Sequence, residues 1–222
     1  TWAGPEIAVA TTKAFSTQLA IVYLLSLYMA ERLGTVSTAE YTACVNAILS
    51  LPEKIEQTLS EENQTICRAL ADQYHAHHSA FYVGRNLDSA VCLEGSLKLK
   101  EIAYLHSEAY PAGELKHGPI SLIEEGTLVV AVATVDELFD KTMANVREVK
   151  ARGADVLCVT LEELAEKARK QAQSVIAVPS TDPLLQPSLN MIPLQLLGYY
   201  IAVNRGCNVD KPRNLAKVVT VE

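Results

Sequence analysis

No run of lysine or arginine occurs anywhere in these 222 residues, and the formal net charge is −7. A nucleic-acid surface normally shows a basic stripe, so that class of partner is set aside. There is no GxGxxG and no GxxxxGK[ST], which disfavours a nucleotide-phosphate loop. The five cysteines, at positions 44, 67, 92, 158 and 207, form no CxxC pair. An odd, scattered set fits reduced core thiols in a cytoplasmic protein better than a disulfide framework. The first residues lack the basic, apolar and small-residue order of a signal peptide.

What is present is apolar. Hydrophobic residues make up 49% and charged residues 20%, the balance of a globular chain with ample core. The most apolar segment, residues 14–30, carries Ser16, Thr17, Gln18 and Ser26 and is bounded by Lys13 and Glu31. A membrane span needs about 20 mostly apolar residues, so this segment is expected to be a buried helix.

Residues 1–10 read as irregular, with Gly4-Pro5 as a breaker. Thr11 or Thr12 is expected to cap a helix ending at Gly34. Ser37 and Glu40 have capping-box spacing for a second helix reaching the Pro52 region. A third helix is expected over 62–75. Beyond it the pattern changes to short apolar runs (80–83, 127–133, 155–159, 174–178) alternating with helical stretches (88–105, 136–152, 161–170, 184–204). That alternation predicts an α/β fold, a doubly wound parallel sheet with flanking helices. Such sheets bind ligands beyond the carboxyl ends of their strands. The Gly84-Arg85-Asn86 loop, with Asp88 as the expected helix cap, lies at such an end.

Three distant segments could carry chemistry. On the 88–105 helix, Glu94, Lys98 and Glu101 share one face. The plain reading is an exposed ion-pair ladder of small energetic value. The chemical one is a carboxylate held beside an ammonium, able to take a proton next to a carbonyl. The stretch 106–119 reads as a long polar connection holding His117, a residue that is usually solvated but titrates in the range proton transfer needs. Lys217, four residues after Arg213, reads plainly as a solubilising tail lysine; the β-prone run after it, 218–221, would instead anchor it, partly desolvate the amine and lower its pKa toward Schiff-base competence. His75, His77 and His78 close a helix, where histidine suits the dipole, and lack metal-like spacing to a cysteine or carboxylate.

The stretches Gly4–Gln18, Leu93–Glu101, Glu108–Pro119, Pro193–Leu197 and Asp210–Glu222 together resemble the isomerase half of the glutamine–fructose-6-phosphate aminotransferase family, whose sugar-isomerase (SIS) subdomains come in pairs. The resemblance implies that residues 1–35 end a first SIS subdomain. Residues 36–77 would be a helical connector, 78–206 the second subdomain and 207–222 an active-site tail. It implies Glu101 as the base moving a proton between C1 and C2 of an open-chain sugar phosphate, and Lys217 as the Schiff-base amine. By the same likeness His117 opens the sugar ring at a neighbouring subunit's site, and Lys98 assists proton movement. Val9, Thr11 and Ala216 would line the sugar. No metal or cofactor is implied. Fructose 6-phosphate, glucosamine 6-phosphate and a second copy in a homodimer are the implied partners.

Nothing here matches the family's Ser/Thr-rich phosphate loop or its glutamine-hydrolysing domain, so the chain is expected to be an incomplete, inactive carboxy-terminal piece. Thr11 stands where serine is common, keeping the hydroxyl. Two alternatives stay open. One is a deglycase or deaminase of the same fold acting on an amino-sugar phosphate. The other is a non-catalytic sugar-phosphate sensor, which would normally bring a basic DNA-binding domain.

Overall fold

The computed structural model describes residues 1–217. Three helices come first: α1 (Lys13–Leu33), α2 (Thr38–Thr58) and α3 (Glu61–Tyr74). There follow β1 (Ser79–Gly84), α4 (Leu87–Ala103), β2 (His106–Pro111), β3 (Leu128–Ala133), α5 (Asp136–Lys150), β4 (Asp155–Leu161), α6 (Ala165–Arg169), β5 (Ser174–Val178) and α7 (Gln186–Asn204). The strands form one sheet in the order β2-β1-β3-β4-β5, and every neighbouring pair is parallel.

The direction of winding reverses between β1 and β3. Right-handed crossovers therefore place α4 on one face of the sheet and α5 and α6 on the other. α7 packs between α3 and α4, in contact with both. With both faces covered, β3 is buried at all of its positions and β4 at all but Asp155. The continuous Val/Leu/Ala runs of these strands follow from that cover.

Helix ends match the local sequence in part. Both arms of the Ser37/Glu40 capping box are made, and Gly34 closes α1 in the left-handed conformation (φ 64°). α2 continues through Pro52 to Thr58. Thr12 stands at the α1 N-cap, yet its hydroxyl makes no capping bond.

Four expectations need correction. The segment 14–30 is helical but not covered: α1 buries no residue, and Ile21, Val22, Leu24, Leu25, Tyr28, Met29 and Leu33 are exposed. Only one side of α1 docks, with Tyr23 reaching the small cluster of Leu51, Leu185 and Leu189. By length and composition α1 is apolar enough to cross a membrane. Asp88 is not the cap of α4. The helix begins at Leu87, with Asn86 (φ 54°) before it, and Asp88 is turned into the core. The polar stretch 106–119 is not one connection, because its first half is strand β2 at the sheet edge. Strand β2 is covered less than the others, with Ser107 its one buried residue, so its residues need not be apolar. Finally, β4 extends through Leu161, a 3-10 turn takes 162–164, and α6 starts only at Ala165.

Gly84 sets the distance between β1 and α4. A Cβ there would lie 2.6 Å from the Asp88 carbonyl carbon and 2.8 Å from the Ser89 nitrogen, both backbone atoms. Gly84→Ala must push the start of α4 away from the sheet. It is expected to cost about 3 kcal/mol, at the upper end of overpacking. A urea midpoint equal to that of the unsubstituted chain would show that this contact is looser than described.

Candidate functional site

α4 presents Glu94, Lys98 and Glu101 at helical spacing, and packing against α7 decides what that spacing means. Lys98 is buried, at 4% exposure. Its ammonium donates to Glu101 Oε2 at 2.6 Å and lies 3.4 Å from Glu94 Oε1. The reading as an exposed ladder therefore fails: a buried ammonium is tolerable only when paired. Two carboxylates around one ammonium leave a net negative charge on this face of α4.

Lys98 opens on a cavity of about 140 Å³ lined by Ala8, Ala10, Thr12, Ile102, Gln195, Tyr199, Val209 and Asp210. Its walls come from α4, α7, the irregular segment before α1 and the tail after α7. The last two are stitched together, since Val9 N donates to the Asp210 carbonyl at 2.9 Å. Asn208 Oδ1 accepts from the backbone of Asp210 and Lys211, which turns the tail. Farther on, Arg213 N donates to Tyr104 Oη at 2.6 Å, and the Arg213 guanidinium stacks 4.3 Å above the Tyr104 ring. Tyr104 follows α4 directly in the left-handed conformation, φ 54°. The tail is thereby tied to the helix that bears the carboxylates.

Lys217 does not bond to Glu101. Its amine pairs with Glu6 Oε2 at 2.9 Å and donates to the Ala8 carbonyl at 3.2 Å. Ala8 also lines the Lys98 cavity, so one residue of this segment touches both Lys217 and the cavity beside α4. Val9 and Thr11 belong to that segment and are half-buried, while Ala216 is exposed beside Lys217. The run 218–221, expected to anchor Lys217, lies outside the described residues. His117 ends a 3-10 turn, is exposed, and is not part of this cavity.

The hydrogen bond from Lys217 holds the Glu6 carboxyl below its usual range, with smaller help from Thr12 N and Lys13. The folded chain therefore binds fewer protons at this group than the unfolded chain does. The contact contributes fully above the ordinary carboxylate range and is lost as pH falls through the lowered Glu6 value. In an NMR titration the Lys217 side-chain signals are expected to move together with Glu6. Lys217 signals that ignore the Glu6 transition would count against the pairing.

The crevice beyond the ends of β1 and β3 behaves differently from the sequence expectation. A cavity of about 330 Å³ is present, lined by residues including Asn86, Asp136, Glu137, Thr181 and Gln186. The anion position at its floor is filled from within. Asp88 accepts from Thr134 N at 2.7 Å, Thr134 Oγ1 at 2.6 Å, Val135 N at 3.3 Å and Asn190 Nδ2 at 3.1 Å. Burial still pushes its carboxyl above the usual range, against the pull of those donors. The donors at the start of α5 are thus used by the chain itself, and Asp136 and Glu137 add negative charge at the rim.

Among the described residues no group of three or more His, Cys, Asp or Glu is placed to hold a metal ion. His75 turns Nδ1 to the carbonyls of Ala71 and Asp72, and His77 packs edge-on to Tyr74. Cys67, Cys92 and Cys158 are core residues, whereas Cys44 and Cys207 are half-buried. Glu6 and Gln195 escaped residue-level reading. Gln195 could have been found as a polar residue inside the apolar run of α7. Glu6 carries no local signal, because its partner Lys217 is 211 residues away.

Residues 73–205 match the SIS domain family. A glutamine–fructose-6-phosphate aminotransferase (isomerizing) from Clostridium tetani is 53% identical over 222 residues, covering 100% of this chain and 36% of the relative. The chain thus spans about a third of the length of that curated relative. The C-terminal domain of glucosamine-fructose-6-phosphate aminotransferase from Francisella tularensis superposes with a TM-score of 0.89 at 34% identity, over 96% of this chain and 59% of that one. A glucosamine-6-phosphate deaminase from Thermotoga maritima gives 0.68 at 26% identity, over 96% and 58%.

Proposed function

The chain belongs to the SIS domain family, and from that premise we propose that it is the sugar-phosphate-isomerising part of a glutamine–fructose-6-phosphate aminotransferase. In this reading the whole enzyme makes glucosamine 6-phosphate from fructose 6-phosphate and glutamine-derived ammonia. The observation that carries it is the Glu94–Lys98–Glu101 cluster, whose buried Lys98 shares a cavity wall with Ala8, the residue whose carbonyl accepts from the Lys217 amine.

The chemistry follows from these groups. Lys217 leaves Glu6, gives its proton to that carboxylate and attacks the C2 carbonyl of the open-chain ketose; water departs and an iminium forms. Ammonia adds at C2 and displaces the lysine amine, which frees Lys217 and leaves a C2 imine of the sugar. That imine acidifies C1–H, and Glu101 takes the C1 proton and returns one at C2, giving the 2-amino aldose. Lys98 steadies the Glu101 carboxylate and hands protons to sugar oxygens. His117, exposed and not part of the cavity lining, serves ring opening at the site of the second subunit in a homodimer. Val9, Thr11 and Ala216 contact the sugar. These side chains suffice for the shift without a metal or organic cofactor.

By the same reading, residues 1–35 close a first SIS subdomain, 36–77 connect, 78–206 form the second subdomain and 207–222 the active-site tail. The exposed apolar face of α1 is where the rest of that first subdomain packs. An amino-terminal glutaminase domain supplies ammonia. Five free cysteines suit a reducing cytoplasm.

The test is product analysis. The chain is joined behind the amino-terminal two-thirds of the Clostridium tetani relative and given fructose 6-phosphate with glutamine or ammonium. Glucosamine 6-phosphate is the expected product. The Thermotoga maritima likeness favours one other reading, a deaminase of amino-sugar phosphates. Turnover of glucosamine 6-phosphate to the ketose by the chain, with no synthesis by the joined enzyme, would select that reading instead.

A further inference from the structure

Tyr104 closes α4 with a left-handed backbone, φ 54° and ψ 30°. Glycine is the usual occupant of that position, because a bulky side chain there is crowded by its own backbone. What the tyrosine gains is the tail. Its Oη accepts from Arg213 N at 2.6 Å, and the Arg213 guanidinium covers the ring face at 4.3 Å. The neighbours of Arg213 fit this contact: Pro212 is buried, and Asn214 turns the chain with φ 62°.

Hydrogen bonds from the tail lead to two different elements. The Asp210 carbonyl and the Lys217 amine bond to Val9, Glu6 and Ala8, all in the segment before α1. Arg213, four residues before Lys217, bonds instead to Tyr104, three residues after Glu101.

We propose that Tyr104 is a positioning residue of the sugar-phosphate site, clasping the tail so that the Lys217 amine reaches the same sugar that Glu101 serves. A chain end frays unless it is tied down, and an amine on a loose end seldom meets its carbonyl in a productive geometry. When Lys217 attacks, it must give up Glu6 and the Ala8 carbonyl. The Tyr104–Arg213 contact involves neither, so it holds the tail while those bonds are broken. It also refers the amine to α4, the helix whose Glu101 must act next on the same substrate. Tyr104 itself touches no reacting atom.

The proposal rests on the isomerase reading and its use of Lys217, and the test keeps the two apart. Tyr104→Asn and Tyr104→Phe are made in the joined enzyme. Asparagine tolerates the left-handed backbone and so keeps the end of α4, but it lacks the ring and the distant hydroxyl. Phenylalanine keeps the stack and loses the acceptor. Three quantities are read: tryptic cleavage after Arg213, the Lys217 imine trapped with fructose 6-phosphate by borohydride reduction, and affinity for that sugar by calorimetry. Trypsin must draw the Arg213 side chain into its own pocket, so the stack shields this bond.

Tyr104→Asn is expected to be cleaved there about tenfold faster or more, and to lose about tenfold to hundredfold in kcat and in the rate of trapping. Tyr104→Phe should lose about two- to tenfold, the worth of one hydrogen bond. In both, affinity should fall less than trapping does. Cleavage at the unsubstituted rate in both variants, or trapping that falls only in step with affinity and thermal midpoint, would overturn the proposal. If Tyr104→Asn does not fold, Tyr104→Phe decides by the same readouts. An unsubstituted enzyme that traps no sugar at Lys217 would sink the isomerase reading instead, and cleavage would still judge the clasp.

Discussion

Glu101→Gln in the joined enzyme should lower kcat by about 10²- to 10⁴-fold, the range of a lost general base, and leave sugar-phosphate affinity nearly unchanged. The amide keeps the shape of the carboxylate and can still accept from Lys98, so the cavity wall should stay in place. Lys98 remains 3.4 Å from Glu94 and is not left unpaired in the core. What disappears is the ability to take a proton from C1. Two measurements separate this from a binding defect: calorimetry with fructose 6-phosphate, and incorporation of solvent deuterium into the sugar. Exchange at the unsubstituted rate would remove Glu101 from the proton-transfer role, and a sensor without chemistry would show no exchange in either protein.

Asp88→Ala should destabilise the chain by about 3 kcal/mol or more, because each buried donor left without an acceptor costs about 1–3 kcal/mol. Thr134 N, Thr134 Oγ1, Val135 N and Asn190 Nδ2 all point at this one carboxylate. Water entering from the neighbouring crevice can replace part of what is lost, which sets the estimate well below four full penalties. Even so, the loss is a large share of the roughly 5–15 kcal/mol that holds a domain folded. Asp88→Asn should fall between, since it keeps one acceptor oxygen and turns an NH₂ group toward other donors. Urea midpoints for the three proteins decide the matter. A change within about 0.5 kcal/mol, the range of ordinary surface substitutions, would mean that the network is not a structural keystone.

The strands that could be read in advance are those covered on both faces. Leu128–Ala133 and Ser174–Val178 are short apolar runs bounded by turn residues, and the sheet's double cover is the reason. β2 could not be read that way. Unlike β5, the other edge strand, it leaves His106, Glu108 and Tyr110 partly open to water, so its composition resembles a loop. α1 was misjudged for the opposite reason. Its apolar content says that some surface must cover it, but not that the surface belongs to these 222 residues. Asp88 precedes an apolar helical run just as a cap does; only Thr134 and Asn190, 46 and 102 positions away, reveal it as an interior acceptor.

The same division holds at the site. Glu94, Lys98 and Glu101 had to share a face once α4 was helical, because 3.6 residues per turn brings positions three and four apart together. Whether that face was wet, and where the Lys217 amine would rest, depended on α7, residues 6–12 and the tail meeting around Lys98. Sequence alone determined the helices, the apolar strands and the spacing of the charged triplet, all of which rest on neighbours a few residues apart. Only the tertiary structure decided the burial of Lys98, the Glu6–Lys217 pair and the contact of Tyr104 with Arg213. Those depend on closing chain loops as long as 211 residues, and no local pattern encodes which distant groups will meet.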